Sequence, residues 1–298
     1  MSVQSVLFDL PGPKARARHR LLAIAGGVLI AVLLGLLIWA LRNELAPAKW
    51  LPFLSPVTWT AYVVPGLVAT IVGAAISVLL AGLVGVLFGM GRLAHNPVIA
   101  GLSGLFVEFF RSVPVLMMMI FSYYAFVFSG VLTGPAASLA GVVVGLTLYN
   151  ACVIAELVRS GVHALPKGQT EAGLAIGLTR QQTLRMVLLP QAIRAMLPAL
   201  VSQLIVVLKD TALGYIIIYP ELLQSAERLA AVHGNIIVAY LVIALIFIVI
   251  NWGLSALAEW AQEWVSTRQS GHVLRNVTAE IPVVSGLRPV EAIDEHRH

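Results

Sequence analysis

Long apolar runs separated by short polar segments are the main pattern along this chain. Six runs have the length of a membrane span, and they cover residues 21–41, 62–90, 112–130, 137–158, 195–218 and 237–260. A helix needs about 20 mostly apolar residues to cross the hydrocarbon core of a bilayer. The apolar residues do not alternate with a period of two, which disfavours a β-barrel. The pattern therefore predicts an all-α integral membrane protein with about six transmembrane helices.

The composition supports this prediction and excludes an ordinary soluble domain. Of the 298 residues, 59% are hydrophobic and 11% are charged, and the mean hydropathy is +0.92. The first run follows a basic segment but lasts to Leu41, which is longer than the apolar core of a signal peptide, so we interpret it as an uncleaved span. Cys152 is the single cysteine and lies inside a span, which favours a packing role and excludes an internal disulfide.

The distribution of Lys and Arg predicts which side of the membrane each loop occupies. With six spans threaded through the bilayer, fifteen of the 19 Lys and Arg residues fall on the side that holds both termini and the 159–194 loop. Three fall on the other side, and Lys209 lies inside a span. Because positive charge collects on the cytoplasmic side, we predict that both termini and this loop are cytoplasmic. The placement also accounts for the net charge of +5 without a nucleic-acid partner.

The 159–194 loop is too polar to cross the membrane but is rich in helix-forming residues. It is predicted to form two short helices at the membrane surface, with Gly177 permitting a tight turn between them. We expect Thr170 and Glu171 to cap the first helix and Pro190 to interrupt the second before the chain re-enters the membrane. A rigid unit between two spans suits force transmission, and an amphipathic connector lying on the bilayer is the alternative.

Two adjacent charges inside the fifth run need a partner or a wet cavity. Lys209 and Asp210 point about 100° apart on a helix and do not pair well with each other. A charge at a helix centre costs at least about 2.5 to 3.5 kcal/mol. Lys209, Asp210 and Thr211 are therefore candidates for a solute pathway, and a structural ion pair is an equally good interpretation. Tyr149 and Asn150 lie deep in the fourth run and could hydrogen-bond a solute or tie two helices together.

Two acid–base pairs have the three-residue spacing that allows contact on a helix surface. Glu108 and Arg111 lie at the start of the third run, and Glu156 and Arg159 lie near the cytoplasmic end of the fourth. We interpret both as structural or gating pairs rather than as solute contacts.

Five short segments carry motifs in a fixed order. They are Glu108-Phe109-Phe110-Arg111-Ser112-Val113-Pro114, Ala155-Glu156-Leu157-Val158-Arg159-Ser160-Gly161-Val162, Gly168-Gln169-Thr170-Glu171-Ala172, Leu189-Pro190-Gln191-Ala192-Ile193-Arg194 with Leu197-Pro198, and Lys209-Asp210-Thr211-Ala212-Leu213. They resemble the E-x-x-R-G-T-P, A-E-x-x-R-x-G-I, G-Q-x-E-A, L-P-Q-A-x-R-x-x-L-P and K-x-T-S-L motifs of the permease subunits of ATP-binding-cassette (ABC) importers. The resemblance is to the polar-amino-acid branch of that family, the glutamate, glutamine and histidine type.

The spacing of one further pattern resembles the "EAA" signature of the same family. It runs from Glu171-Ala172-Gly173 through Gly177 to Leu189-Pro190. Six residues depart from the usual ones of these motifs. Ser112 and Val113 stand for a glycine and a threonine, Met118 stands where a glutamine is common, Gly173 for an alanine, Val187 for an isoleucine and Ala212 for a serine. Met118 and Ala212 leave the substrate preference open.

The resemblance implies how the chain is organised. A five-helix core would cover residues 60–262, with a coupling region at 166–190. Residues 21–41 would be an extra N-terminal helix, preceded by a basic cytoplasmic tail at 1–20, and residues 263–298 would be a cytoplasmic tail. An extra helix of this kind looks most like the glutamate-uptake permeases of actinobacteria.

The resemblance also implies a function, the movement of a polar amino acid such as glutamate across a bacterial cytoplasmic membrane by alternating access. Two permease subunits, identical or paralogous, would form the pore, two ATPases would drive it, and an extracytoplasmic solute-binding protein would deliver the amino acid. The residues expected to couple to the ATPase are Gly168, Gln169, Glu171, Ala172, Gly173, Gly177, Leu189 and Pro190. The sequence has no G-x-x-x-x-G-K-[ST] phosphate loop, so we expect ATP and Mg on the partner, and no enzyme activity or cofactor in this chain.

Two other classes of membrane protein fit the spans but not the motifs. An ion-coupled secondary transporter that uses Asp210 or Glu156 should show inverted repeats and broken helices, and neither is clear in the sequence. A membrane-embedded enzyme would need a cluster of metal ligands or a nucleophile with its base inside the spans. His163 and His233 instead fall in loops on opposite sides, so neither a metal site nor a catalytic residue is predicted.

Overall fold

The computed structural model describes residues 12–277, which form helices joined by short connections. Within this range no residue belongs to a strand. Five helical segments are long and apolar enough to cross a membrane, and a bent helix pair adds a sixth crossing if it counts as one span. The five segments are Lys14–Ala40, Pro56–Arg92, Gly134–His163, Arg180–Ile217 and Ile236–Trp260. The prediction of an all-α membrane protein with about six spans is confirmed.

Helix α1 covers Pro13–Ala40 and begins inside the segment that the sequence assigns to a basic tail. Gly12 is the N-cap and Pro13 is the first helical residue. Proline fits this position because the first turn of a helix leaves its N–H groups without intrahelical partners. The large apolar side chains of this span are 51% to 69% exposed, so α1 packs against nothing within the described residues.

The segment after α1 is folded and tied to a distant turn. It contains two 3-10 turns, Pro47–Lys49 and Leu51–Leu54. The ammonium group of Lys49 donates a hydrogen bond to the carbonyl of Gly234. The side-chain amide of Asn235 donates in return to the carbonyl of Lys49, at 3.0 Å. Both ends of the contact therefore hold the segment in place.

A sharp bend separates the next helices. The elements are a helical turn at Pro56–Thr58, a π-helical turn at Trp59–Val63, and helices α2 (Val64–Arg92), α3 (Pro97–Ser112) and α4 (Val115–Phe128). The axes of α3 and α4 differ by 97°. Pro114 stands at this bend, where it lacks an N–H group and keeps its neighbour out of the helical region. The predicted straight span at 112–130 is therefore corrected to a bent pair, since α4 alone has 14 residues.

The remaining elements are helices α5 (Gly134–His163), α6 (Lys167–Ala175) and α7 (Arg180–Thr183), a π-helical turn at Leu184–Leu188, helix α8 (Leu189–Asp210), a 3-10 helix at Thr211–Ile217, and helices α9 (Leu222–His233) and α10 (Ile236–Val277). Of the five long spans, α5 is the most buried, with 61% of its apolar window covered. Helix α10 continues past the predicted end of the last span. Residues 1–11 and 278–298, which the sequence assigns to the tails, lie outside the described residues.

The described residues divide into two compact units. Unit 1 takes the residues up to Ala81, Phe110–Tyr149 and Val207–Ile248, and unit 2 takes Gly82–Phe109, Asn150–Val206 and the residues from Val249. In unit 1, the Tyr219 hydroxyl donates to the carbonyl of Ala69 at 2.7 Å, and the Leu222 N–H donates to the Thr70 hydroxyl at 3.2 Å. These bonds join α2 to the start of α9.

In unit 2, helix α2 packs closely against α5 at two glycines. A Cβ atom at Gly85 would lie 2.7 Å from the Cβ of Ile154, and one at Gly89 would lie 2.8 Å from the Cβ of Val158. Side chains larger than hydrogen would push the two helices apart. Close approach through small residues is a main source of helix association in lipid, where no water is expelled.

Candidate functional site

Helix α6 starts directly after a proline. Its N-cap is Pro166, whose extended backbone (ψ 135°) separates α6 from α5, and no side chain caps its first turn. Thr170 and Glu171 therefore lie inside the helix, and the prediction that they cap it is wrong. The proline backbone sets the helix start, while Glu171 remains exposed at the surface.

Helix α6 ends in a turn that requires glycine. Gly177 has φ +86°, in the left-handed region that disfavours side chains. Its N–H donates to the carbonyl of Leu174 at 3.0 Å, and the N–H of Leu178 donates to the carbonyl of Gly173 at 3.2 Å. This pair of bonds is the Schellman arrangement, which satisfies the last carbonyls of a helix. The predicted tight turn at Gly177 is present.

Helix α7 begins with a reciprocal cap that the sequence analysis did not identify. The Gln182 N–H donates to the Thr179 hydroxyl at 3.3 Å, and the Thr179 N–H donates to the Gln182 side-chain carbonyl at 2.8 Å. The Thr-x-x-Gln spacing is the signal that identifies such a capping box. Together with the turn at Gly177, it fixes the direction in which the chain leaves α6.

Pro190 does not interrupt the chain as predicted. The helix passes through a π-helical turn at Leu184–Leu188, in which the Leu189 N–H donates to the carbonyl of Leu184, and then continues as α8 to Asp210. The wider turn lets the helix continue past a proline, which has no N–H group to donate and needs space for its ring. The amide of Gln191 donates to the carbonyl of Val187 at 2.9 Å.

Two contacts hold α6 against the helices that follow it. Gly173 lies so close to Thr183 that a Cβ atom would stand 2.5 Å from the Thr183 methyl carbon, which explains a glycine where the signature that the sequence resembles has alanine. The Gln191 amide also donates to the side-chain carbonyl of Gln169 at 3.0 Å. This bond joins the first turn of α6 to the first turn of α8, and Gln191 is a residue that sequence reasoning missed.

This part of unit 2 exposes both large apolar and charged side chains. Leu174, Ile176 and Met186 are 40%, 77% and 66% exposed. The exposed charged residues of the same region are Lys167, Glu171, Arg180 and Arg185. Exposed apolar side chains together with charged ones are common in protein-binding surfaces. We call residues 166–190, the predicted coupling region, the coupling unit.

The acid–base residues also form contacts between helices. Arg92, at the end of α2, donates to Glu156 at 2.5 Å and forms an ion pair with Glu108 at 3.4 Å. Arg159 donates to the other carboxylate oxygen of Glu156 at 3.1 Å, as its spacing predicts. Arg111 also has a polar or ring contact. Sequence reasoning missed Arg92 because an arginine at the cytoplasmic end of a span is already expected from the distribution of positive charge.

The candidate pathway residues have different surroundings. Asn150 is fully buried and accepts a hydrogen bond from the Gln203 amide at 2.5 Å, so in this structure it ties α5 to α8 within unit 2. Thr211 is buried in unit 1, and its hydroxyl donates to the carbonyl of Leu208 at 2.6 Å. Lys209 is exposed, and Tyr149 and Asp210 are partly exposed. A role in solute binding stays a prediction for all five.

Unit 1 contains a buried carboxylate outside the spans. Glu221 is fully buried, and its two carboxylate oxygens accept from the N–H groups of Leu223 and Gln224, both at 2.8 Å, at the start of α9. Burial raises the pKa of Glu221 to about 7, although the two N–H donors oppose the rise. Burial and the nearby Glu221 raise the pKa of Tyr219 to about 12. The sequence analysis did not identify either residue.

The fold is that of a multi-pass helical membrane protein with a folded polar unit between two spans. A chain of a solved amino acid ABC transporter with histidines has the same fold, with a TM-score of 0.64 and 27% identity over 71% of this chain and 97% of that one. The methionine transporter MetNI in an inward-facing conformation is similar in fold, with a TM-score of 0.60 at 22% identity over 71% of this chain and 98% of that one.

Residues 81–270 match the model of one protein family, the binding-protein-dependent transport system inner membrane component. The chain belongs to this family. It is 43% identical over 241 residues to the glutamate transport system permease protein GluD of Corynebacterium glutamicum, covering 81% of this chain and 87% of GluD. It is 33% identical over 202 residues to the probable glutamine ABC transporter permease protein GlnP of Bacillus subtilis, covering 67% of this chain and 91% of GlnP.

Family membership confirms the resemblance that the sequence motifs carry. The protein is a multi-pass membrane permease of an ABC importer, and membership implies an ATPase and a substrate-binding protein as partners. The interpretation as an ion-coupled secondary transporter does not hold, because the structural neighbours are ABC transporter permeases.

Proposed function

We propose that this chain is the permease subunit of an importer for glutamate or a closely related polar amino acid. The substrate class is supported by the 43% identity to GluD, a glutamate permease by name, over 81% of the chain. The working complex contains two permease subunits, identical or paralogous, two ATPases and an extracytoplasmic binding protein. ATP and Mg are bound by the ATPases, so this chain supplies the pathway and carries out no hydrolysis itself.

The proposed orientation puts both termini and the coupling unit in the cytoplasm. It rests on the excess of Lys and Arg on that side of the spans. The coupling unit alone contributes Lys167, Arg180 and Arg185. In this orientation the exposed apolar residues of the coupling unit face the compartment that holds ATP.

The exposure of Leu174, Ile176 and Met186 is the observation that carries the coupling role. Large apolar side chains outside the bilayer are stable when a partner covers them. The helices that carry these residues are also held rigidly, because the Gly177 turn and the capping box at Thr179 fix the angle between α6 and α7. We propose that the ATPase binds here.

Two connections pass movement from the coupling unit to the membrane helices. Upstream, Pro166 joins α6 directly to the end of α5. Downstream, α7 continues through the π-helical turn into α8 without a loop. The Gln169–Gln191 hydrogen bond also joins the first turn of α6 to the first turn of α8. A shift of the docked ATPase therefore displaces α5 and α8 together. Displacement of these helices opens the pathway to one side of the membrane at a time.

The test compares amino-acid-stimulated ATP hydrolysis in complexes isolated through a tag on this chain and placed in lipid discs with the binding protein. Glu171→Ala, Gly177→Pro and Ile176→Asn are compared with wild type across a panel of amino acids that includes glutamate, glutamine and histidine. We expect glutamate or a related amino acid to stimulate wild type. The Gly177→Pro variant should lose stimulation most, because proline cannot adopt φ +86° and lacks the N–H that bonds to Leu174.

Matched controls separate docking from general damage. Gly101→Ala changes another glycine of unit 2 with free space around it and no positive φ. Leu54→Asn changes an apolar residue that is 80% exposed, comparable to Ile176 at 77%, on the side predicted to be external. Both controls should keep the ATPase bound. Normal stimulation in all three coupling-unit variants, or transport without any ATPase, contradicts the proposal.

A further inference from the structure

Arg92 joins the ends of three helices at one point of unit 2. It is the last residue of α2, and it contacts Glu108 on α3 and Glu156 on α5. The two partners lie 16 and 64 residues away in sequence, so the contacts connect helices and not neighbouring turns. Without Arg92, the two carboxylates lose the cation that joins α3 to α5.

The geometry gives each charge a defined place. The Arg92 side chain is only 12% exposed, and its two terminal nitrogens contact different carboxylates. Glu156 uses both of its oxygens, one for Arg92 and one for Arg159. Guanidinium is suited to this because it presents several N–H donors in one plane, whereas an ammonium group is a single point charge. Partial burial makes such contacts stronger than pairs in open water.

The cluster formed by Arg92, Glu108, Glu156 and Arg159 lies close in sequence to the coupling unit. Arg159 is in the last two turns of α5, which ends at His163, and α6 begins at Lys167. The connection between them is short and ends in Pro166, which limits its freedom. A displacement of α6 therefore acts on the end of α5 that carries Glu156 and Arg159.

We propose that Arg92 is a positioning residue that makes ATP hydrolysis depend on substrate, by holding the ends of α2, α3 and α5 at a set spacing in the resting transporter. This inference rests on the proposed function. Movement of the coupling unit pulls Glu156 away from Arg92 and releases α2 and α3. When Arg92 is replaced, the three helix ends separate without that pull, so the ATPases hydrolyse ATP without moving substrate.

The experiment measures labelled glutamate transported per ATP hydrolysed, in proteoliposomes that contain the whole complex and its binding protein. Arg92→Gln removes both ion pairs of Arg92 and should lower this ratio by about fivefold, the factor that corresponds to about 1 kcal/mol. It should also raise hydrolysis in the absence of glutamate. Arg92→Lys keeps the charge but loses the planar set of N–H donors, so its ratio should lie between those of wild type and Arg92→Gln. Arg42→Gln removes a charge whose contact is the Trp39 ring and should match wild type.

Two further variants distinguish positioning from a merely structural role. If Arg92 acts through Glu156, the double variant Arg92→Gln/Glu156→Gln should lose no more coupling than Arg92→Gln alone. If Arg92→Gln does not assemble, Glu108→Gln weakens the same cluster at a half-exposed carboxylate and should lower the ratio in the same direction.

The outcomes separate this inference from the proposed function. A wild-type complex without amino-acid-stimulated hydrolysis removes the proposed function itself. The role of Arg92 is overturned if wild type responds to amino acids and the Arg92→Gln and Glu108→Gln variants transport as much substrate per ATP as wild type does. A lower melting temperature of Arg92→Gln with an unchanged ratio of glutamate transported to ATP hydrolysed also overturns this role, because it shows that the cluster only holds the fold together.

Discussion

Helices α1 and α5 are both long apolar spans, yet they have opposite surroundings. None of the apolar window of α1 is buried within the described residues, whereas 61% of the α5 window is buried. The more hydrophobic helix of the two, α1, is the one without packing contacts. Hydrophobicity therefore predicts which segments enter the membrane, but not which of them form the protein core, because lipid tails and apolar side chains are equivalent solvents for leucine.

Glycines show what distinguishes the two helices. Gly141 and Gly145 of α5 lie against Tyr123 and Met119, at distances that leave no room for a Cβ atom. Gly35 of α1 has no neighbour within 4 Å of such an atom. A glycine in a span thus indicates close packing only when another helix is present to fill the space. Three changes follow, from the largest expected effect to the smallest. The first and the last test this contrast, and the second tests a buried carboxylate in the packed part of unit 1.

The largest effect is expected from Gly145→Leu. A Cβ atom at this position would stand 2.6 Å from the Met119 Cγ and 2.8 Å from the Met119 backbone nitrogen, and backbone cannot move aside as a side-chain tip can. We expect a loss of at least about 3 kcal/mol of stability, at the upper end for overpacked cores. Thermal unfolding in detergent, followed by size-exclusion chromatography, should show little folded protein.

The matched control for this prediction is Gly35→Leu in α1. It adds the same side chain to a helix that has open space around the glycine. We expect the melting temperature of wild type. Equal damage from the two substitutions would mean that α1 is packed as tightly as α5, and the contrast between the helices would be lost.

An intermediate effect is expected from Glu221→Gln, which removes a buried carboxylate from the packed part of unit 1. Burial raises the pKa of Glu221 from the ordinary 4.5 to about 7, so the folded protein binds this proton more tightly than the unfolded chain does. The contribution of Glu221 to the free energy of unfolding is fully present below about pH 4.5 and is lost as the pH rises through about 7. The wild-type melting temperature should fall over this window, and the fall should be smaller in Glu221→Gln.

Glu44→Gln is the control for the pH experiment. Its side chain is 43% exposed and lies in the segment that follows α1. This variant should keep the pH dependence of wild type. A Glu221→Gln variant with the full wild-type fall would show that another group is responsible.

The smallest effect is expected when residues 21–40 of α1 are replaced by a run of leucines. The replacement keeps a span of the same length, so the orientation of the following helices is retained. Because α1 has no buried side chains in this stretch, we expect no measurable change in the melting temperature of the purified chain. The same replacement over residues 137–158 of α5 should prevent folding. A clear destabilisation by the α1 replacement would reveal packing contacts for that helix.

The sequence predicts the spans well because their signal is local. The runs at 62–90, 137–158 and 237–260 each fall within one observed helical span. Errors occur at prolines, whose effect depends on position. Pro13 starts α1 inside the segment predicted to be a tail, Pro114 marks a bend, and the helix passes Pro190 through a π-helical turn.

The candidate site is predictable only as far as its signals lie within a few residues of each other. The turn at Gly177 and the Glu156–Arg159 contact both follow from local spacing. The contacts of Arg92, and the bond between Gln169 and Gln191, join residues that are distant in sequence. No spacing rule indicates such pairs, since they depend on how the helices pack.

The two hydrogen bonds between Lys49 and the Gly234–Asn235 turn give α1 an unexpected mechanical character. The C-terminal end of α1 leads into a segment that is hydrogen-bonded to the turn between α9 and α10, while the apolar window of the helix has no buried side chain within the described residues. The described part of α1 is therefore held at its C-terminal end rather than along its length. Tilting of α1, for example when the bilayer thins or thickens, therefore acts on the segment that Lys49 and Asn235 tie to the α9–α10 turn.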